Sequence, residues 1–218
     1  MPRSFQIVCL LIFSSFFAYA QTEATPVVTF TLDFPDSQPE HYSIRIPSDG
    51  SAHYQSSGRL STDSDETDNF DLDFTVASET RQKIFDLAAK AGYFKKDIDS
   101  HHKALAFTGK KTLSYKDAQR SGESTYNYSS IPAVQDLTGL MQSLSATLEF
   151  GHRLQYDHQY QKLALDEELK HMEDMARSNE LVEITAIQRI LDQIIADQSV
   201  MNVTRARAQR LLERAGAH

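Results

Sequence analysis

Acidic and imidazole side chains gather at three places in this chain, and each gathering suggests a different chemistry. Asp63, Asp65 and Thr67 alternate within an acidic run that ends at Asp68, and alternating hard oxygen ligands suit calcium. An EF-hand loop needs glycine at its sixth position and a bidentate glutamate at its twelfth, where this chain has Asp68 and Phe74. The run therefore reads as a solvated loop. Asp97, Asp99, His101 and His102 combine carboxylate and imidazole, the donor set of a zinc site. They follow Lys95-Lys96, whose charge repels a cation, so a polar connecting loop is expected. Glu168 and His171 lie three residues apart and share a helix face, as in half of a carboxylate-bridged di-iron centre. Such a centre also needs glutamates from further helices, and an exposed helix face beside Glu167 and Lys170 is expected instead.

Other chemistries fall away on residue type. Gly109-Lys110-Lys111-Thr112 has the ending of a phosphate-binding loop without its upstream glycine. Neither a Gly-x-Ser-x-Gly elbow nor a His-Glu-x-x-His helix is found. His152 and His158 read as surface residues. No catalytic, cofactor-binding or metal-ligating residue is therefore assigned from sequence, and no cofactor is expected. Asn127-Tyr128-Ser129 and Asn202-Val203-Thr204 match the N-glycosylation pattern, which matters only in a eukaryotic host. Five tyrosines, at 42, 54, 115, 126 and 128, fall on expected strands. They either line an exposed binding face or lie half-buried with hydroxyls at the rim, and β-propensity favours the second. Arg205, Arg207, Arg210 and Arg214 form a basic patch on the last expected helix. It is suited to the acidic loop, a second subunit or an anionic surface, although a solvated face is the ordinary outcome.

The amino terminus has the organisation of a secretory signal: Arg3, an apolar run from Phe5 to Phe17, and a small-x-small site at Ala18-Tyr19-Ala20. The run is short of the roughly 20 residues that span a bilayer. Cleavage after Ala20 would begin the mature chain at Gln21 and remove Cys9, the single cysteine. Disulfides, thiol nucleophiles and thiolate metal sites are then excluded from residues 21–218. The 22 basic residues less Arg3, against 30 acidic ones, give the mature chain a net charge of −9. Nucleic acid, bound mainly through cationic contacts to phosphate, is an unsuitable partner for such a chain. No membrane span is expected after the signal.

The elements that must position any site follow two rhythms. Val28, Phe30, Leu32 and Phe34 alternate with polar residues, as do Tyr42, Ile44 and Ile46, and then Phe70, Leu72, Phe74 and Val76. This is the period of half-buried strands. Pro47-Ser48-Asp49-Gly50 is a hairpin turn leading to a strand through Ala52 and Tyr54. Ser78 is the expected N-cap of a helix over 79–91 that ends at Gly92. Leu105 and Phe107 suggest a strand turning at Thr108-Gly109-Lys110 into Leu113 and Tyr115. Gly122 suggests a turn before Tyr126 and Tyr128. Pro132 opens a helix over 132–149, with Val134, Leu137, Met141, Leu144 and Leu148 at steps of three and four. Beyond residue 152 the chain reads as three helices broken at Ser178-Asn179 and at 197–202. The fold class expected is α+β, an antiparallel sheet of six or seven strands packed against two helices and followed by a C-terminal helical region. The organisation expected is signal 1–20, α+β domain 21–150 and helical extension 151–218. That extension would fold back on the domain or project as a helical hairpin.

Residues 27–150 resemble a family of exported bacterial domains of unknown function. The resemblance is carried by Pro39-Glu40-His41-Tyr42-Ser43-Ile44-Arg45-Ile46, then Asp49-Gly50, then Tyr54, then a helix ending in Ala91-Gly92-Tyr93-Phe94. The family's Cys-Pro-x-Tyr pattern is altered here: the cysteine is missing and two residues separate Pro39 from Tyr42. The resemblance implies a small antiparallel sheet packed on helices and no activity. The expected function is a non-enzymatic binding or interaction module of the envelope or secreted fraction, with a protein or envelope partner. The alternatives are a hydrolase whose site is assembled only in three dimensions, and a structural protein that homodimerises through its C-terminal helices.

Overall fold

The computed structural model describes residues 25–35, 37–59 and 67–216. The expected signal segment, and Asp63 and Asp65 of the acidic run, lie outside the described residues. Six strands form one antiparallel sheet: β1 Val27–Asp33, β2 His41–Pro47, β3 Ser51–Arg59, β4 Thr67–Thr75, β5 Lys110–Lys116 and β6 Ser121–Tyr126. Their order is β4-β3-β2-β1-β5-β6. Register follows from burial. Val28, Phe30 and Leu32 stand opposite Ile46, Ile44 and Tyr42 on one side and Tyr115, Leu113 and Lys111 on the other. A slip of one residue would turn this whole apolar set to solvent.

Helices cover one face of the sheet. Helix α1, Ser78–Lys90, and helix α2, Pro132–Tyr160, pack together, with α1 touching β1 and α2 touching β2. Beyond them lie α3 Leu165–Arg177, a 3₁₀ turn Ile184–Ile187, α4 Gln188–Ala196 and α5 Asn202–Gly216. The chain is therefore α+β with a C-terminal helical region. Those last helices do not project as a hairpin. Leu165, Leu169, Met172 and Ala176 of α3, Ile190, Leu191 and Ile194 of α4, and Ala208 and Leu211 of α5 join the same buried cluster as the sheet and α2. Among the described residues no helix is long and apolar enough to cross a membrane.

Several sequence expectations need correction. Helix α2 continues eleven residues past 149, to Tyr160. Gly151 does not stop it, because a Cβ there would collide with Ile187, so glycine permits a close helix contact instead. Helix α1 begins at Ser78 itself, with Ala77 in the cap position and no side-chain cap. The Ala77 N–H instead donates to Glu183, at 3.0 Å.

Leu105 and Phe107 form no strand; they are 42% and 59% exposed in an irregular segment. Two residues hold that segment off the sheet. Asn127 accepts the Thr108 N–H at 2.9 Å and donates to the Ala106 carbonyl at 3.0 Å. Lys111, on the buried face of β5, donates from Nζ to Thr108 O, Thr108 Oγ1, Gly109 O and Asn127 O. A buried ammonium requires such oxygens, and three of the four come from the segment itself. Lys111 is thus a structural residue, and the supposed hairpin turn at 108–110 does not exist. The β5–β6 turn lies at Asp117–Arg120, where Asp117 accepts the N–H groups of Gln119 and Arg120. Gly122 is inside β6, where it must be glycine because a Cβ would collide with the Tyr93 carbonyl. Tyr128 follows β6 and is half exposed.

Candidate functional site

Helix α2 carries Ser145, Glu149, His152 and Tyr156 at steps of four, three and four, a spacing that puts them on one helix face. That face starts in the core and ends in solvent. The strands beneath show the same gradient. On the inner side of β3 the period-two set runs Tyr54, Ser56, Gly58. On β4 it runs Leu72, Phe70, Asp68, each opposite its β3 counterpart. Apolar side chains thus give way to small and polar ones at the same end of sheet and helix. The two layers part there around a cleft of about 400 Å³, closed on another side by Gln38 and Pro39.

A buried polar network forms the floor. Glu149 is only 9% exposed. Its Oε1 accepts the Tyr54 hydroxyl at 2.7 Å and the Ser56 hydroxyl at 2.7 Å. With its proton directed at Glu149, the Tyr54 oxygen accepts from Ser145 Oγ at 2.9 Å. Burial pushes the Tyr54 phenol well above the ordinary tyrosine value, and the neighbouring Glu149 charge pushes it in the same direction. Tyr54 is therefore a fixed donor. Ser56 and Ser145 are likewise committed, Ser56 to Glu149 and Ser145 to Tyr54. A carboxylate can sit this deep because its oxygen is satisfied twice.

The walls carry charge. His152 Nε2 meets the Asp68 carboxylate at 3.0 Å and 3.1 Å, and its ring stacks on Phe70 with centroids 4.3 Å apart. Arg153 also lines the cleft, with its guanidinium held: Nε donates to Glu168 at 2.5 Å and the guanidinium lies 4.6 Å over the Phe150 ring. Asp157 has its carboxyl raised by burial first and by the charge of Glu168 second. Tyr156 lines the cleft and is exposed, its ring centroid 5.1 Å from that of Tyr160, which is exposed one helical turn further on.

The residues singled out from sequence are mostly elsewhere. His152 is no ordinary surface residue; it lines the cleft. Glu168 serves Arg153, while His171 packs edge-on to Phe150 at 5.3 Å. His158 meets Asp197 at 3.0 Å, beside Lys162 at 2.6 Å on the same carboxylate oxygen. Asp97 pairs with His101 at 2.6 Å, and Asp99 accepts the N–H groups of His101 and Asn127. These carboxylates shape their loop. Among the described residues no group of three or more His, Cys, Asp or Glu is placed to hold a metal ion. Tyr42, Tyr54, Tyr115 and Tyr126 are buried beneath the helices, so they form no exposed tyrosine face.

The basic patch of α5 docks within the chain. Arg207 binds Asp166 at 2.9 Å and Glu173 at 2.6 Å, and Arg210 binds Glu173 at 2.8 Å. Its counterpart among the described residues is helix α3, because the apolar seam of α5 lies on α3 and brings these side chains together. Sequence reading passed over Glu149 and Asp157. The one signal was Ser145 and Glu149 at core spacing inside the run Leu144–Phe150, two polar residues where a helix of this type buries its side chains.

The chain matches no protein-family model and no curated protein sequence.

Proposed function

We propose that this protein is an exported, non-catalytic binding module whose recognition site is the cleft between α2 and the ends of β3 and β4. One observation carries the reading. The Tyr54 and Ser56 hydroxyls are already spent on Glu149, while the lining ring of Tyr156 and its neighbour Tyr160 are left uncovered. A hydrolytic site needs a hydroxyl or water held against a base where substrate can reach it, and here the two hydroxyls on Glu149 belong to Tyr54 and Ser56, both buried. Clefts with a few fixed polar groups beside exposed aromatics are the usual form of a binding site. Export rests on the signal-like residues 1–20, and the resemblance of residues 27–150 to exported domains agrees with it.

The test is site-specific photocrosslinking in the native cell, with the crosslinking residue placed at Tyr156 or, as a control, at Thr112 on the open face of the sheet. The expected result is a discrete adduct from position 156 that is missing from position 112, on a protein whose first residue by mass spectrometry is Gln21. Equal adducts at both positions, or none at 156, would overturn the reading.

A further inference from the structure

Building on that reading of the cleft, we infer that its ligand is an organic cation, a primary ammonium or guanidinium on a flexible chain, received between Glu149, Asp157 and the ring of Tyr156. The cleft is bordered by three carboxylates, Asp68, Glu149 and Asp157, and its one arginine among the described lining residues, Arg153, is already paired with Glu168 and the Phe150 ring. Asp68 has His152 opposite. Asp157 has no ion pair among the described residues: burial and the like charge of Glu168 hold its carboxyl up, and the nearby Arg153, paired with Glu168, offsets them only in part. A ligand cation would relieve both effects. Glu149 offers a preformed acceptor whose position is set by Tyr54 and Ser56, so binding requires little reordering.

Two observations select an organic cation over a metal ion. The described residues hold no three-ligand set, and the cleft has about 400 Å³, room for an alkyl chain behind the charged end. Tyr156 supplies a π face, which attracts an ammonium and also covers its methylene groups. Two sources share this chemistry: a free diamine, and a lysine or arginine side chain of a partner protein.

The experiment titrates the mature protein, followed by NMR, with 1,5-diaminopentane, with an acetylated and amidated Lys-Lys dipeptide, and with neutral 1,5-pentanediol. The cationic probes are expected to move the resonances of Glu149, Asp157 and Tyr156, and the diol to leave them in place. Asp157→Asn should weaken binding about fivefold, the weight of one partly exposed ion pair, and Tyr156→Ala should weaken it about fivefold through the lost π contact. Urea midpoints measured on both variants guard against misfolding. Tighter binding of the dipeptide assigns the site to a protein side chain; tighter binding of the diamine assigns it to a small molecule. A diol that binds as well as the diamine would overturn the cationic assignment while leaving the cleft as a binding site. Cationic probes that move nothing, alongside a specific crosslink from position 156, would also sink this inference alone.

Discussion

The Tyr54 hydroxyl donates to Glu149 at 2.7 Å across the interface of sheet and helix, joining residues 95 positions apart in the chain. It fixes how β3 and α2 meet at the point where the core opens. Replacing Tyr54 with Phe keeps the ring and removes this link, leaving Glu149 and Ser145 each short of a partner in a buried place. The expected loss is about 1–3 kcal/mol of unfolding free energy, read from urea denaturation. Glu149→Gln, which keeps an acceptor at the same position, should cost less. An unchanged midpoint in Tyr54→Phe would show that the network contributes nothing to stability.

Alkaline pH should expose the buried tyrosines as a group. Burial holds Tyr126 up to about 12. Tyr115 also stands at about 12, through burial and then its hydrogen bond to Asp117. Tyr42 and Tyr54 are shifted further in the same direction, burial again being the main cause. An unfolded tyrosine ionises near 10. Between 10 and 12 the folded chain therefore retains protons that the unfolded chain loses. Linkage then requires stability that is intact below pH 10 and falls as pH rises through that window. Absorbance at 295 nm should show the exposed phenols titrating first and the buried ones ionising together with loss of near-ultraviolet circular dichroism. Smooth ionisation of all phenols near pH 10 with the fold intact would contradict this.

The α3–α5 contact gives a prediction at the other end of the pH scale. Burial acts to raise the Glu173 carboxyl, but hydrogen bonds from Arg210 and Arg207 outweigh it, and the net displacement is below the ordinary value of 4.5. The pairing therefore contributes fully above pH 4.5 and is lost as pH falls below it. Glu173→Ala removes one of the two carboxylates on Arg207, whose side chain is 19% exposed and which keeps Asp166, and losing these charge-assisted hydrogen bonds is expected to cost about 2 kcal/mol. Glu173→Gln should flatten the acid limb of the stability profile. Thermal melts between pH 7 and pH 3 check both, and parallel acid limbs in the wild type and Glu173→Gln would refute the assignment.

Local spacing of apolar residues was enough to place most of the elements. Val28, Phe30 and Leu32 alternate because one side of β1 is buried and the other is not, and Leu165, Leu169, Met172 and Ala176 recur at helical steps because α3 buries a single stripe. Each of these facts concerns neighbours in the chain, so each leaves a period that can be read without a structure. The same reading erred at Leu105 and Phe107. Their alternation is real, but the oxygens required by the Lys111 ammonium and the two bonds to Asn127 outweigh what an exposed edge strand would gain.

What belonged to the tertiary structure alone was the pairing of polar groups far apart in sequence: Glu149 with Tyr54 and Ser56, His152 with Asp68, Glu173 with Arg207 and Arg210. A hydrogen bond or ion pair depends on the position of two particular atoms and imposes no repeat on the residues between them. Apolar burial acts through whole faces and therefore marks the sequence with a rhythm. For that reason the α+β fold was visible in the order of residues, whereas the cleft existed only once α2 had been laid across the sheet.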